Sequence, residues 1–124
     1  MSKGLTRAGF DADLRIGHQA EGEFLRQLHS GPLEHKADKK ARKTGNIFVE
    51  YAQPSGKSGL ATTKAETWVF EVNEGVWIAV ATDKLKEIAR RVHRYKGPVS
   101  GGDYNNYTGV LVNILKHLVR QEFE

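Results

Sequence analysis

Acidic and basic side chains alternate along the segment "LEHKADKK", residues 33–40. If this segment is extended, Glu34, Lys36 and Asp38 share one face, because successive side chains of a strand point to opposite sides. Carboxylates that converge repel one another unless a cation lies among them, and Mg²⁺ is a hard ion that prefers oxygen ligands. A lysine on the same face can orient an attacking water or stabilise charge on a phosphate. The pattern therefore allows metal-assisted chemistry at a phosphate.

Two further acids complete a candidate metal site. Glu50 lies in "NIFVEYAQ", whose β-branched and aromatic residues are typical of a strand. Glu21 lies on or beside the apolar stripe of a helix predicted over residues 17–31, so it points towards the edge of the core. The predicted metal ligands are Glu21, Glu34, Asp38 and Glu50. The alternative is structural, because a helical acid usually forms a salt bridge and charged strand residues usually mark a solvated face.

Other kinds of active site are not indicated. The five histidines show no zinc-binding spacing, and no serine-nucleophile motif of the GxSxG type occurs. The segment "PSGKSG" lacks the first glycine of a phosphate-binding P-loop, because Tyr51 occupies that position. There is no cysteine, which excludes disulfides and thiolate metal sites.

The elements that must position the acids are predicted from periodicity and turn signals. The strand "PLEHKAD", residues 32–38, and the strand "NIFVEYAQ" are separated by a basic turn, which would let them pair antiparallel. "TWVFEV" and "VWIAVAT" flank "NEG" as a hairpin, and the nearly continuous apolar run of the second predicts a place in the middle of the sheet. "SGLATTKAE" is a candidate short helix capped by Ser58, and "VLVNILKHLVRQEF" is either a closing helix or a strand that runs into one.

A longer helix is predicted over "DKLKEIARRVHRY", with Asp83 as its N-cap. Its predicted core face consists of Leu85, Ile88, Ala89 and Val92. The 124 residues suit one domain, residues 1–124, of the α/β (α+β) class. Its predicted architecture is a mixed central β-sheet of about four strands flanked by helices.

Positive charge is concentrated in two places. The formal net charge is +4, and residues 36–43 and 84–96 hold five and six Lys or Arg against one acid each. Two basic clusters on a small domain favour nucleic acid as a partner, although solvated surfaces would give the same pattern. Lys86 and the arginines of the second cluster are expected to face solvent or a ligand. The predicted nucleic-acid-binding residues are Lys39, Lys40, Arg42, Lys43, Arg90, Arg91 and Arg94.

These residues together resemble the PD-(D/E)XK nuclease superfamily, and the running text is similar to small phage-type proteins of resolvase or endonuclease character. Glu34 and Lys36 match the E-x-K part of the motif, and Glu21 matches the acid of the first helix. The upstream Asp of the family has no counterpart in "LHSGP". Either Asp38 or Glu50 supplies the missing ligand, or the strand that carries Glu50 is the central one, with Lys36 reaching the site from its neighbour.

The resemblance implies a restriction-endonuclease-like fold and a Mg²⁺-dependent DNA endonuclease, with Mn²⁺ as a substitute ion. Its catalytic residues would be Glu34, Lys36 and Glu50, its substrate a DNA structure or junction, and its assembly a homodimer or higher homo-oligomer. The alternatives are a nucleic-acid-binding module without chemistry and a phage accessory protein that binds a host protein. We expect a cytoplasmic location (the host cytoplasm if the protein is viral), because no apolar run is long enough to span a bilayer and no signal-peptide pattern is present.

Overall fold

The computed structural model describes residues 31–124, apart from the side chain of Asp103. Contacts divide the chain after Gly31, and the unit Pro32–Glu124 contains all the elements given below. Glu21, and the helix predicted around it, lie outside the described residues. The single domain predicted over residues 1–124 stays a prediction.

The described part of the chain contains seven strands: β1 (Leu33–Ala37), β2 (Asn46–Gln53), β3 (Gly56–Lys57), β4 (Thr67–Asn73), β5 (Val76–Ala81), β6 (Val99–Gly101) and β7 (Tyr107–Asn113). Its helices are α1 (Ala41–Thr44), α2 (Thr82–Lys96), a π-helix (Ile114–Val119) and 3-10 turns at Gly59–Ala61 and Asp103–Asn105. The segment "VLVNILKHLVRQEF" is therefore a strand that runs into a helix, which is one of the two forms predicted for it.

The strands form two sheets, so the predicted mixed α+β class is confirmed, but the predicted single central sheet is divided. Sheet A has the order β1-β4-β5, with β1 parallel and β5 antiparallel to β4. Sheet B has the order β3-β2-β7-β6 and is antiparallel throughout.

The predicted antiparallel pairing of β1 with β2 is wrong, because the two strands belong to different sheets. Between them α1 ends at Gly45, which has a left-handed conformation (φ 72°) and donates its N–H to the carbonyl of Ala41 at 2.8 Å. This cap directs the chain away from sheet A and into sheet B. Glu34 and Lys36 consequently lie opposite Trp68 and Phe70 of β4 in the parallel register.

The β4–β5 hairpin is confirmed, but β5 is an edge strand of sheet A rather than a central one. Val76 and Trp77 are 50% and 57% exposed. The chain passes directly from Ala81 into α2, whose N-cap is Ala81 without a side-chain hydrogen bond. Asp83 is therefore not the predicted cap; it lies in the first turn, where its charge complements the positive end of the helix dipole.

The inner faces of both sheets share one hydrophobic core with α2. The four residues predicted as its core face are all buried, and they cluster with β2, β4 and β7. Burial of this face anchors the helix and leaves its other side free to carry charge. The buried residues of the strands are Ile47, Val49, Trp68, Phe70, Val72, Val110 and Val112. Across residues 31–124, no helix combines the length and the apolar character needed to cross a bilayer.

Candidate functional site

The three described acids of the predicted metal site have different partners. The Asp38 carboxylate accepts the backbone N–H of Phe48 at 2.8 Å, which ties the end of β1 to β2. The Glu50 carboxylate accepts the hydroxyl of Ser58 at 2.5 Å, so Ser58 serves Glu50 rather than capping the 3-10 turn that follows it. Glu34 lies 3.9 Å from the Lys36 ammonium.

Within residues 31–124, no three acidic or imidazole side chains are grouped so that they could hold a metal ion. The convergence predicted for Glu34, Asp38 and Glu50 is therefore not found in the described part of the chain. The physical reason is the division into two sheets, because Glu34 is on a strand of sheet A and Glu50 on a strand of sheet B. A Mg²⁺ or Mn²⁺ site that includes Glu21 stays a prediction.

The E-x-K pair forms an ion pair at the margin of sheet A. The side chains of Lys36 and Glu34 are 42% and 40% exposed, and the Lys36 ammonium also lies 5.7 Å from the centre of the Trp68 ring. Exposed pairs of this kind contribute about 0–1 kcal/mol to stability. Ion pairing and the ring contact therefore explain the position of Lys36 without a third acid.

The predicted nucleic-acid-binding residues separate into three places. Arg90 and Arg94 line an open groove beside α2. Arg91 lies over the ring of Phe123, 4.2 Å from its centre. The remaining four, Lys39, Lys40, Arg42 and Lys43, are exposed around α1, and we call them the cationic turn.

The groove that contains Arg90 and Arg94, called the cationic groove from here on, has a volume of about 610 Å³. Lys86, Arg90 and Arg94 are spaced four residues apart, so they follow one side of α2 at intervals of about 6 Å. Within residues 31–124, none of the three forms a salt bridge with a carboxylate. The rest of the lining comprises His93, Tyr51, Leu60, Ala61, Ala89 and Val110. The groove thus combines positive charge that has no carboxylate partner among the described residues with a mainly apolar lining.

Tyr51 lines this groove from a point of irregular pairing in β2. The pairing of β2 with β7 shifts between Glu50 and Ala52, so Tyr51 has no partner on β7. Its ring meets the His93 ring edge-on, with the centroids 5.8 Å apart. Tyr51 shares a strand face with the buried Ile47 and Val49, so regular alternation along β2 agrees with a ring that faces α2.

A close approach of the chain completes the floor. Gly59 has φ +51°, and a Cβ there would overlap the carbonyl group of Glu50. Because Gly59 has no side chain, the 3-10 turn can lie against β2, and Leu60 is buried at 5% exposure. The backbone N–H of Ser58 donates to the carbonyl of Tyr51 at 3.0 Å, which holds the two segments together.

Arg91 belongs to a different structure, the packing of the C-terminal segment. Phe123, beneath its guanidinium, stacks on His117 with the ring planes 5° apart and the centroids 5.6 Å apart. The Nδ1 atom of His117 accepts the backbone N–H of Asn113 at 2.8 Å, and its Nε2 is buried with no partner among the described residues. Burial, with a smaller contribution from Lys96 and Lys116, lowers the pKa of His117 below its ordinary value of 6.5. Arg91 therefore does not line the cationic groove with its neighbour Arg90, but it shares a second depression with Arg94, Glu122 and Glu124.

The cationic turn shares its surroundings with acids. Lys39 and Arg42 line a shallow depression of about 380 Å³ together with Glu71 and Glu74. The field of the two carboxylates opposes that of the two cations. A phosphate approaching this depression therefore meets a smaller net attraction than the number of lysines and arginines indicates.

Comparison of this chain with protein-family models, with curated proteins and with solved structures finds no match. The resemblance to the PD-(D/E)XK superfamily consequently rests on the motif residues alone. The sequence did contain a signal for Lys86, since it is four residues before Arg90 on the predicted polar side of α2. Strand alternation predicted that Tyr51 shares a face with Ile47 and Val49, but no local signal indicated that His93 of α2 would lie against it.

Proposed function

We propose that the protein binds nucleic acid, with phosphates held along α2 by Lys86, Arg90 and Arg94. The observation that carries this proposal is the row of three cations along one groove, without a carboxylate partner in the described part of the chain. Like charges held close together repel one another, and a row of phosphates relieves that repulsion at every position. The net charge of +4 favours the same class of partner.

A matched pair of lysines tests the proposal. Lys84 and Lys86 are both on α2, but the Lys84 ammonium is already paired with Glu87 at 3.1 Å and does not line the groove. Binding of labelled DNA and RNA oligonucleotides would be followed by fluorescence anisotropy over a range of salt concentrations. We expect Lys86→Gln to weaken binding and to reduce the slope of log K against log salt by about 0.7–0.9, whereas Lys84→Gln changes the slope little. Equal effects of the two substitutions, or no salt-dependent binding at all, would overturn the proposal.

Magnesium-dependent DNA cleavage, predicted from the resemblance, is a separate proposal that concerns Glu34 and Lys36. Plasmid and branched DNA incubated with Mg²⁺, and in parallel with EDTA, test it directly. Cleavage that needs Mg²⁺ and falls by about two orders of magnitude in Lys36→Ala would support it. Binding without cleavage would leave the binding module as the function. The predicted homodimer, phage accessory role and cytoplasmic location stay predictions.

A further inference from the structure

The floor of the cationic groove does not match a ligand that offers only phosphates. Four aliphatic residues line it, and they give a phosphate no hydrogen-bond donor of their own side chains: Leu60, Ala61, Ala89 and Val110. A phosphate that is placed against this surface loses hydrogen bonds to water, and the aliphatic side chains offer none in exchange. A ligand suited to the whole groove carries negative charge on one part and a flat apolar surface on another.

We infer that the groove binds an unpaired base together with its flanking phosphates, so that the preferred ligand is a single-stranded nucleic acid. This inference rests on the proposed function and specifies its ligand. A nucleobase has two apolar faces and stacks on aromatic rings whatever its identity. Tyr51 supplies a ring in the groove, while Lys86, Arg90 and Arg94 are placed along α2 for the phosphates. Each part of the lining then has a counterpart in the ligand.

The volume of the groove can hold a base, and the composition of its lining favours an unpaired base over a duplex. Its volume of about 610 Å³ lies within the range of about 300–1,000 Å³ that small-ligand pockets occupy. In a duplex the bases are stacked in the interior, so only the phosphates of a duplex could contact the rim. The exposed part of the apolar lining, Ala61 and the Tyr51 ring, would then stay in contact with water. An unstacked base instead covers the exposed apolar part of the lining, the Tyr51 ring and Ala61, over the buried Leu60, Ala89 and Val110.

Tyr51 is held in place before any ligand arrives. Its carbonyl accepts the N–H of Ser58, its ring packs edge-on against His93, and it contacts the hydrophobic core. A ring fixed in this way loses little conformational entropy when a base stacks on it. The groove therefore presents an ordered aromatic surface next to long, exposed arginine side chains.

The experiment compares three labelled ligands of equal length and backbone: a single strand, the same strand in a duplex, and an abasic single strand. The abasic strand keeps the phosphates and lacks the bases, so it isolates the base contribution without altering the protein. Anisotropy at one fixed salt concentration should rank the ordinary single strand above the abasic strand by about 5- to 100-fold, the effect of one stacked base. The duplex should bind more weakly than the single strand, with a salt slope at least as steep.

Substitution of Tyr51 provides a second readout. Tyr51→Leu should remove most of the preference for the ordinary over the abasic strand and leave the salt slope unchanged. The control is Tyr95→Leu, since Tyr95 is a half-exposed tyrosine of α2 that lies outside the groove, whereas Tyr51 is partly buried. Equal binding of ordinary and abasic strands, or tighter binding of the duplex, would overturn the inference and leave the proposed function standing. If none of the three ligands shows salt-dependent binding, both this inference and the proposed function would be overturned.

Discussion

The cationic turn and the cationic groove have similar charge in the sequence and different surroundings in the structure. Lys39 and Arg42 of the turn share a depression with Glu71 and Glu74. Lys86, Arg90 and Arg94 share their groove with one tyrosine, one histidine and aliphatic side chains, and with no acid of the described residues. Arg94 alone of the three also lines a second depression, which contains Glu122 and Glu124. The difference teaches that the number of lysines and arginines in a segment does not identify a binding site. What identifies it is whether the neighbouring elements neutralise those charges or leave them available.

The two regions also differ in how firmly they are held. The turn surrounds α1, a four-residue helix with one buried residue, Ala41. The groove cations are on α2, a 15-residue helix whose apolar side contributes four residues to the core. Backbone order on α2 reduces the entropy lost when a phosphate is bound. Of the two basic regions, the groove is therefore expected to lose less conformational entropy when it binds a phosphate.

The largest expected effect separates the two regions directly. The double substitution Arg90→Gln with Arg94→Gln should weaken binding to all sequences alike and lower the salt slope by roughly 1.4–1.8, about 0.7–0.9 for each lost phosphate contact. The matched double substitution Lys39→Gln with Arg42→Gln removes the same charge from the turn and should change the slope by less than half as much. Both would be measured by anisotropy titrations at several salt concentrations. Equal losses in the two variants would show that net charge alone governs binding.

The next effect concerns pH and His117, whose ring stacks on Phe123 beneath Arg91 of α2. Because the pKa of His117 is lowered in the folded protein, the unfolded chain binds a proton more readily than the folded one does. The neutral His117 side chain therefore makes its full contribution to the free energy of unfolding above pH 6.5. This contribution is lost as the pH falls through the lowered pKa of the folded protein. Protonation also removes the acceptor for the N–H of Asn113, which should loosen the C-terminal segment.

The measurement for this prediction is the melting temperature between about pH 7.5 and pH 5, in the wild type and in His117→Gln. The wild type should lose stability more steeply in acid than the variant, which has no titrating group at position 117. Parallel pH curves for the two proteins would contradict the assigned role of His117. Hydrogen exchange at residues 113–119 would show whether the loss begins in the π-helix.

The smallest effect tests whether Glu71 and Glu74 weaken nucleic-acid binding at the cationic turn. Replacing Glu71 and Glu74 together by Gln removes two negative charges from the depression that Lys39 and Arg42 line. Binding should tighten by less than about tenfold, because these charges are near the surface and are screened by salt. The gain should disappear when Lys39 and Arg42 are also replaced. A gain that persists in the quadruple variant would show a general effect of net charge rather than a local one.

The parts of the fold that were predictable depend on local periodicity. The core face of α2 was predicted in full, because its residues recur at helical spacing and the opposite side is charged. The same spacing placed Arg90 and Arg94 on one side of the helix. The hairpin of β4 with β5 was predictable for a similar reason, since its strands are joined by a short turn.

The errors concern pairings between distant segments. β1 and β2 are close in sequence, yet β1 pairs with β4 and β2 with β7. The apolar run of β5 suggested a central place, but a run of residues carries no information about how many strands flank it. The predicted acid cluster depended on the pairing of β1 with β2, and it is not found in the described residues because that pairing does not occur.

The sequence by itself determined the α+β class, the amphipathic character of α2 and the concentration of positive charge in two segments. Each of these follows from spacing within a short stretch, where the helical or extended backbone dictates which side chains share a face. Only the tertiary structure decided that the cations of α2 border an apolar groove, while Lys39 and Arg42 of the turn face two acids. Those environments are made by side chains from β2, β4, β7 and the 3-10 turn at 59–61, and no local pattern specifies which of these elements meet. The physical reason is that burying apolar surface rewards any arrangement that packs well, so the partners of each strand are selected by the whole core at once.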